Sequence, residues 1–192
     1  MIQIRSSVFE TNSSSMHSLA IRSKEAFFPY EEQYFTKEDA WEDISWYKDN
    51  DASVDGNIVI NFNKYEDEYW YFGRAPFKIL DSFFDKFKYA FATLVSYKEG
   101  DEYFNLKNQF LDILKEINPD VTEFIHPDSY GVDDAVLISW MKTYNFDLRE
   151  FLFNKKYVVI VDGDEYCIWQ SMLESGIIDK NALENPDGQN LW

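Results

Sequence analysis

The chain holds a single cysteine, Cys167. An intramolecular disulfide and a cysteine-based metal centre are therefore excluded, and a reducing, cytosolic setting inside a bacterial host fits. Histidine is scarce as well. His17 and His126 are the two present, so a metal site of two histidines and a carboxylate would need both. No run of 18 apolar residues occurs, so no segment suits a membrane-spanning helix. The opening residues lack the apolar core of a secretory signal. No glycine-rich phosphate-binding fingerprint is present, and no repeat, linker or low-complexity block interrupts the chain.

Basic residues are the largest shortage. Eighteen Lys and Arg face 35 Asp and Glu, for a formal net charge of −17. Such a chain repels phosphates, which argues against non-specific binding to DNA, RNA or an anionic membrane and favours a basic partner. Solubility alone is the plainer explanation. The charge is uneven. Arg5, Arg22 and Lys24 against Glu10 leave residues 1–24 at +2. Lys78, Lys86, Lys88 and Lys98 against Asp81 and Asp85 leave residues 75–98 at +2. The other two stretches, 25–74 and 99–192, carry all of the negative excess.

What the chain has in quantity is aromatic side chains, 19% of its 192 residues. That apolar content predicts a packed core rather than a disordered chain, with some large rings left over as interface anchors. The length suits one α+β domain over 1–184, followed by a loose tail at 185–192. Strands are expected at 2–9, 18–22, 57–63, 121–125 and 156–161, with a weaker one at 65–72. Leu80, Phe83, Phe84, Phe87, Phe91 and Leu94 recur at spacings of three and four, which predicts a central amphipathic helix over 76–97. A second such helix carries Leu106, Phe110, Ile113, Leu114 and Ile117, and stops at Asn118-Pro119. Thr36-Lys37-Glu38-Asp39 has the form of a helix start. Shorter helices are expected over 133–144, 147–153 and 165–174. The expected fold is α+β, with a mixed or antiparallel sheet of N-terminal strands and one late strand packed on the central helix.

Four stretches have residue types that carry chemistry. In Glu10–Ser18, hydroxyls and amides follow one another. They suit a capped surface loop. They equally suit an anion pocket in which Arg5, Thr11, Asn12, Ser13, Ser14 and Arg22 ring a phosphate. A nucleophilic serine is a third reading, with Ser13, Ser14 or Ser15 activated by His17 and Glu10. His126-Pro127-Asp128-Ser129 is either a turn or a source of acid–base groups, His126 and Asp128. Asp162-Gly163-Asp164-Glu165 follows a buried-type strand and suits a tight turn with Asp164 as helix cap, or a divalent cation. No metal or cofactor is expected.

The fourth is acidic and aromatic. Glu31, Glu32, Glu38, Asp39, Glu42 and Asp43 alternate with Trp41 and Trp46, and Glu66, Asp67 and Glu68 sit beside Trp70. Spaced carboxylates imitate phosphates and rings imitate stacked bases, so such a surface can compete for a basic nucleic-acid channel. An ordinary solvated face with its rings turned inward would read the same way.

The segment Ile4–Leu19, with Arg5, Val8-Phe9-Glu10-Thr11-Asn12-Ser13-Ser14-Ser15 and His17-Ser18-Leu19, resembles the N-terminal signature of a family of phage and mobile-element proteins from Firmicutes. The likeness covers about 16 residues, and the family brings no catalytic role with it. By analogy, the mobile-element setting implies an inhibitor of a host defence nuclease, of the anti-CRISPR kind. The leading expectation is therefore a non-enzymatic inhibitor whose acidic face binds a basic nuclease groove. The alternatives are an enzyme with a nucleotide or phosphate pocket on Glu10–Ser18, and a homo-oligomer that buries its surplus rings between subunits.

Overall fold

The computed structural model describes residues 16–21, 34–64, 70, 72, 78–95, 98–127 and 134–162, with backbone alone at 16–21, 134–136, 160 and 162. Helices and small sheets of both parallel and antiparallel strands make this an α+β fold. Strand β1 (Met16–Ile21) pairs antiparallel with the late strand β5 (Tyr157–Asp162), and β5 pairs antiparallel with β3 (Lys78–Leu80). The order is β1-β5-β3. A separate two-stranded sheet joins β2 (Ile58–Asn61) and β4 (Val121–Ile125) in parallel, with a register break between Ile58 and Val59. Tyr157, Val158, Val159 and Val161 are all buried, as expected for an apolar run at the centre of a sheet covered on both faces.

Helix α1 (Lys37–Ser45) starts with the capping box that its sequence predicts. The Thr36 hydroxyl accepts from the Asp39 N–H at 3.0 Å, and the Asp39 carboxylate accepts from the Thr36 N–H at 3.0 Å. Two of the four orphan donors of the helix start are satisfied in this way. Ala40 and Ile44, one turn apart, form its buried edge.

Helix α2 (Phe83–Val95) is the centre of the fold, with all but Asp85 and Lys88 buried. A helix that is apolar around most of its circumference must be enclosed over most of it, and α2 packs against α1, β3 and each later helix described below. It begins seven residues later than the periodicity implies, because Lys78–Leu80 is strand β3. Asp81-Ser82 makes the break, and the Ser82 hydroxyl accepts from the Asp85 N–H at 3.0 Å as the new cap.

Helix α3 (Gly100–Ile117) buries Phe110, Ile113, Leu114 and Ile117 and stops at Asn118, whose extended backbone precedes Pro119. Gly100 opens it at φ +56°, where a side chain would be strained. Helices α4 (Asp134–Thr143) and α5 (Leu148–Phe153) follow, α5 capped by the Asp147 carboxylate on the Glu150 N–H at 2.7 Å. The core is aromatic: Phe62, Trp70, Phe84, Phe87, Phe91, Phe110 and Phe124 meet at centroid distances of 5.0 to 6.4 Å. The expected strand over 65–72 does not form at Trp70 or Phe72, both buried outside any strand. The strand expected at 2–9, the helix at 165–174 and the tail lie outside the described residues.

Candidate functional site: the outer face of helix α1

Residues four apart on a helix share a face. Glu38, Glu42 and Trp46 fall in one such row, and all three are exposed, Trp46 to 71%. Trp46 is the C-cap residue of α1. Neither Glu38 nor Glu42 has an ion-pair partner among the described residues. The row therefore presents two carboxylates and one indole to solvent over two turns of a helix whose opposite edge is anchored in the core.

The neighbouring row, Asp39 and Asp43, has a different job. Asp39 closes the capping box and lies 3.6 Å from the Lys155 ammonium. The Thr36 N–H, more than Lys155, holds its carboxyl below the ordinary range. Asp43 is half-buried and accepts from the Phe84 N–H at 3.4 Å, at the start of α2. Burial pushes its pKa up, against the lowering effect of the Phe84 and Phe83 N–H groups. Both side chains hold the fold. Trp41 is half-buried against the core. Trp70, expected on the same docking surface, is 1% exposed and sits in the aromatic core, so it cannot meet a partner. Its neighbours supply the reason: Phe62, Phe84, Phe87 and Phe91 enclose the indole. Glu31, Glu32, Glu66, Asp67 and Glu68 lie outside the described residues.

His126 follows β4. One ring nitrogen, Nδ1, lies 2.8 Å from the Pro127 carbonyl, so it carries the proton and donates there. Nε2 lies 2.9 Å from the Tyr103 hydroxyl and accepts from it. The ring packs among Phe91, Phe124, Trp70 and Tyr103, at 4.5 Å from the Phe91 centroid. With both nitrogens engaged and aromatic rings around it, this imidazole locks the end of β4 to α3. That is a structural use of a residue for which acid–base chemistry is the alternative to a plain turn. Its expected partners Glu10, Ser13 and Asp128 lie outside the described residues, as do Arg5, Thr11, Asn12, Ser14 and Arg22. His17 is placed by its backbone alone, opposite Val161.

Lys86 is a residue that charge counting misreads. It is fully buried on α2, and its ammonium donates to the Phe151 and Asn154 carbonyls, each at 2.9 Å. Those carbonyls belong to the C-terminal end of α5, where a cation is favoured. The α2 periodicity does not single it out, because it falls outside the row of Leu80, Phe83, Phe84, Phe87, Phe91 and Leu94. On α3, Glu116 is held by Arg149 in a two-point pair. Among the described residues, no three His, Cys, Asp or Glu side chains cluster to hold a metal ion, and no helix is long and apolar enough to cross a membrane. No protein-family model matches the chain, and neither a curated protein nor a solved structure is similar to it.

Proposed function

We propose that this chain is a non-enzymatic binding protein that docks the outer face of α1 on a basic groove of a partner. The groove is of the kind a host defence nuclease, such as a CRISPR effector, uses for nucleic acid. The observation that carries this reading is Trp46: a large ring, 71% exposed, in line with Glu38 and Glu42. An indole left in water costs hydration and is the residue type that dominates interface energetics when a partner covers it. Carboxylates beside it act earlier, steering a basic surface into encounter with the field of a chain at net −17 behind them.

The division of labour within α1 chooses the variants. Charge reversal at Asp39 or Asp43 would break the Thr36–Asp39 capping box or the Asp43 contact with the Phe84 N–H, so a loss of binding there would mix docking with a loss of stability. Glu38→Lys with Glu42→Lys leaves the caps intact. Added to a purified effector nuclease cleaving DNA, the wild-type chain is expected to inhibit. The double variant is expected to lose association rate and salt dependence, and Trp46→Ala to raise the dissociation rate. Inhibition unchanged by both variants, or absence of binding at low salt, would remove the reading.

A further inference from the structure

We propose that Lys64 is a positioning residue for the α1 face: its ammonium latches the backbone at Trp46 and holds the indole in place for a partner. The inference rests on the docking role given to α1 above, and it names what preorganises that site. A helix leaves its last carbonyls without partners inside the helix, and a cation is favoured beside them. The last turn of α1 has no basic residue of its own. Lys64 supplies the cation from outside the helix, 18 positions beyond Trp46. Its ammonium donates to the Trp46 carbonyl at 3.2 Å and to the Lys48 carbonyl at 3.1 Å. Side chains of this type commonly satisfy the last carbonyls of a helix when they come from nearby in sequence. Here the same bond is made across a strand and a turn.

The fold brings Lys64 there. The Asn61 N–H donates to the Tyr47 carbonyl at 2.8 Å and the Asp49 N–H to the Val59 carbonyl at 2.9 Å, so β2 runs antiparallel beside residues 47–49, with a bridge between Lys48 and Ile60. A turn follows, closed by the Lys64 N–H on the Asn61 carbonyl at 3.1 Å, and it returns Lys64 to the end of α1. Three successive carbonyls just past α1 are thereby taken, Tyr47 by β2 and Trp46 and Lys48 by the one ammonium. The Tyr47 ring is buried against Phe62 at 5.3 Å. The exposed indole of Trp46 therefore stands on a backbone fixed on both sides. A docking residue held in its bound geometry before encounter loses less freedom on binding. Charge gives this role a distinctive sign. Lys64 is itself exposed, a cation near a face whose carboxylates Glu38 and Glu42 would meet a basic groove. As a plain surface charge it would oppose that partner, and its removal would tighten binding. As a latch it has the opposite effect, and its removal weakens binding through the dissociation rate.

Lys64→Met keeps the stem and removes the ammonium, and Lys64→Arg keeps a cation that can reach both carbonyls. The first measurement needs no partner: backbone ¹⁵N relaxation of the full chain. In Lys64→Met the order parameters at Trp46 and Lys48 are expected to fall from about 0.85 towards about 0.6, while the indole signals of Trp70 and Trp140, enclosed in the core, stay in place and report an intact fold. Lys64→Arg is expected to restore the order. The second measurement is binding to the purified effector nuclease at low salt. Lys64→Met is expected to raise the dissociation rate about tenfold, the loss of a hydrogen bond to a charged group, with an association rate that is unchanged or faster, because a chain of net −17 becomes one unit more negative. In a Trp46→Ala background the same change should leave dissociation where Trp46→Ala alone puts it. Unchanged order at residues 46–48 in Lys64→Met overturns the latch and leaves the docking role of α1 standing. Lost order with unchanged dissociation, or tighter binding overall, overturns the positioning role. A wild-type chain that does not bind, or a Trp46→Ala variant that dissociates like wild type, overturns the docking role itself and this inference with it.

Discussion

Removing the Phe62 ring should unfold a large part of what holds this protein together. Phe62 follows β2 and is fully buried. Its ring meets Tyr47 at 5.3 Å, Trp70 at 5.5 Å, Phe84 at 5.0 Å, Phe87 at 5.6 Å and Phe124 at 6.1 Å. Those partners come from the α1 end, from the segment holding Trp70, from α2 and from β4, so one side chain joins four parts of the chain. Phe62→Ala deletes the ring where the surrounding rings are too rigid to collapse, and the expected cost is about 3–5 kcal/mol. For a domain of this size that is a fifth or more of a typical total of about 5–15 kcal/mol. Phe62→Leu keeps most of the volume and loses the ring geometry, which is worth about 0.5–1.5 kcal/mol per aromatic pair and is not additive. It is expected to cost about 1–3 kcal/mol. Phe104, 60% exposed on α3, is the comparison: Phe104→Ala should stay within about 0.5 kcal/mol. Urea unfolding followed by tryptophan fluorescence measures all three, with the midpoint shifting at constant slope. If Phe62→Ala costs no more than Phe104→Ala, or if Phe62→Leu costs as much as Phe62→Ala, the packing argument is wrong.

Thr36→Ala removes the hydroxyl that accepts from the Asp39 N–H and should cost about 1 kcal/mol, with Thr36→Ser restoring most of it; thermal melting compares the two. Asp39 and Asp49 both have carboxyls held below the ordinary range, Asp39 chiefly by the Thr36 N–H and Asp49 chiefly by the Ala52 N–H. Their stabilisation is complete above the ordinary carboxylate range and is lost as pH falls through the lowered folded values. Melting temperature should therefore drop on acidification, and drop less steeply in Asp39→Asn with Asp49→Asn; parallel curves would contradict this. Trp46→Ala should leave stability within about 0.5 kcal/mol; a large loss in a melting scan would show that the ring supports the fold instead of facing a partner.

The ends of elements were legible because their signals are local. Thr36 with Asp39 marks a helix start through one hydroxyl and one carboxylate three residues apart, and Asn118-Pro119 marks a stop through a steric clash with the preceding residue. Periodicity located α2 and α3 for the same reason, since buried faces repeat with the turn of the helix. It placed the start of α2 too early because Leu80 is buried both as a helical position and as the last residue of β3, and a single buried residue carries no period. The acidic and aromatic stretches had no such local signature to separate surface from core. Trp46 and Trp70 sit in similar acidic company, yet one is in water and the other is enclosed by phenylalanines.

By itself, the order of residues determined the mixture of helices and strands, the caps, the apolar faces and the surplus of negative charge. Each depends on neighbours within a few positions. The tertiary structure alone decided that Asp43 turns in to the start of α2 and that Asp39 meets Lys155, while Glu38 and Glu42 stay exposed, because that depends on where the start of α2 and Lys155 come to rest. It alone turned Lys86 from a surface charge into the cap of a distant helix. It alone brought His17 and Lys78, sixty-one positions apart, into one row across β5. Strand register is set by long-range pairing and burial, and no local spacing encodes it.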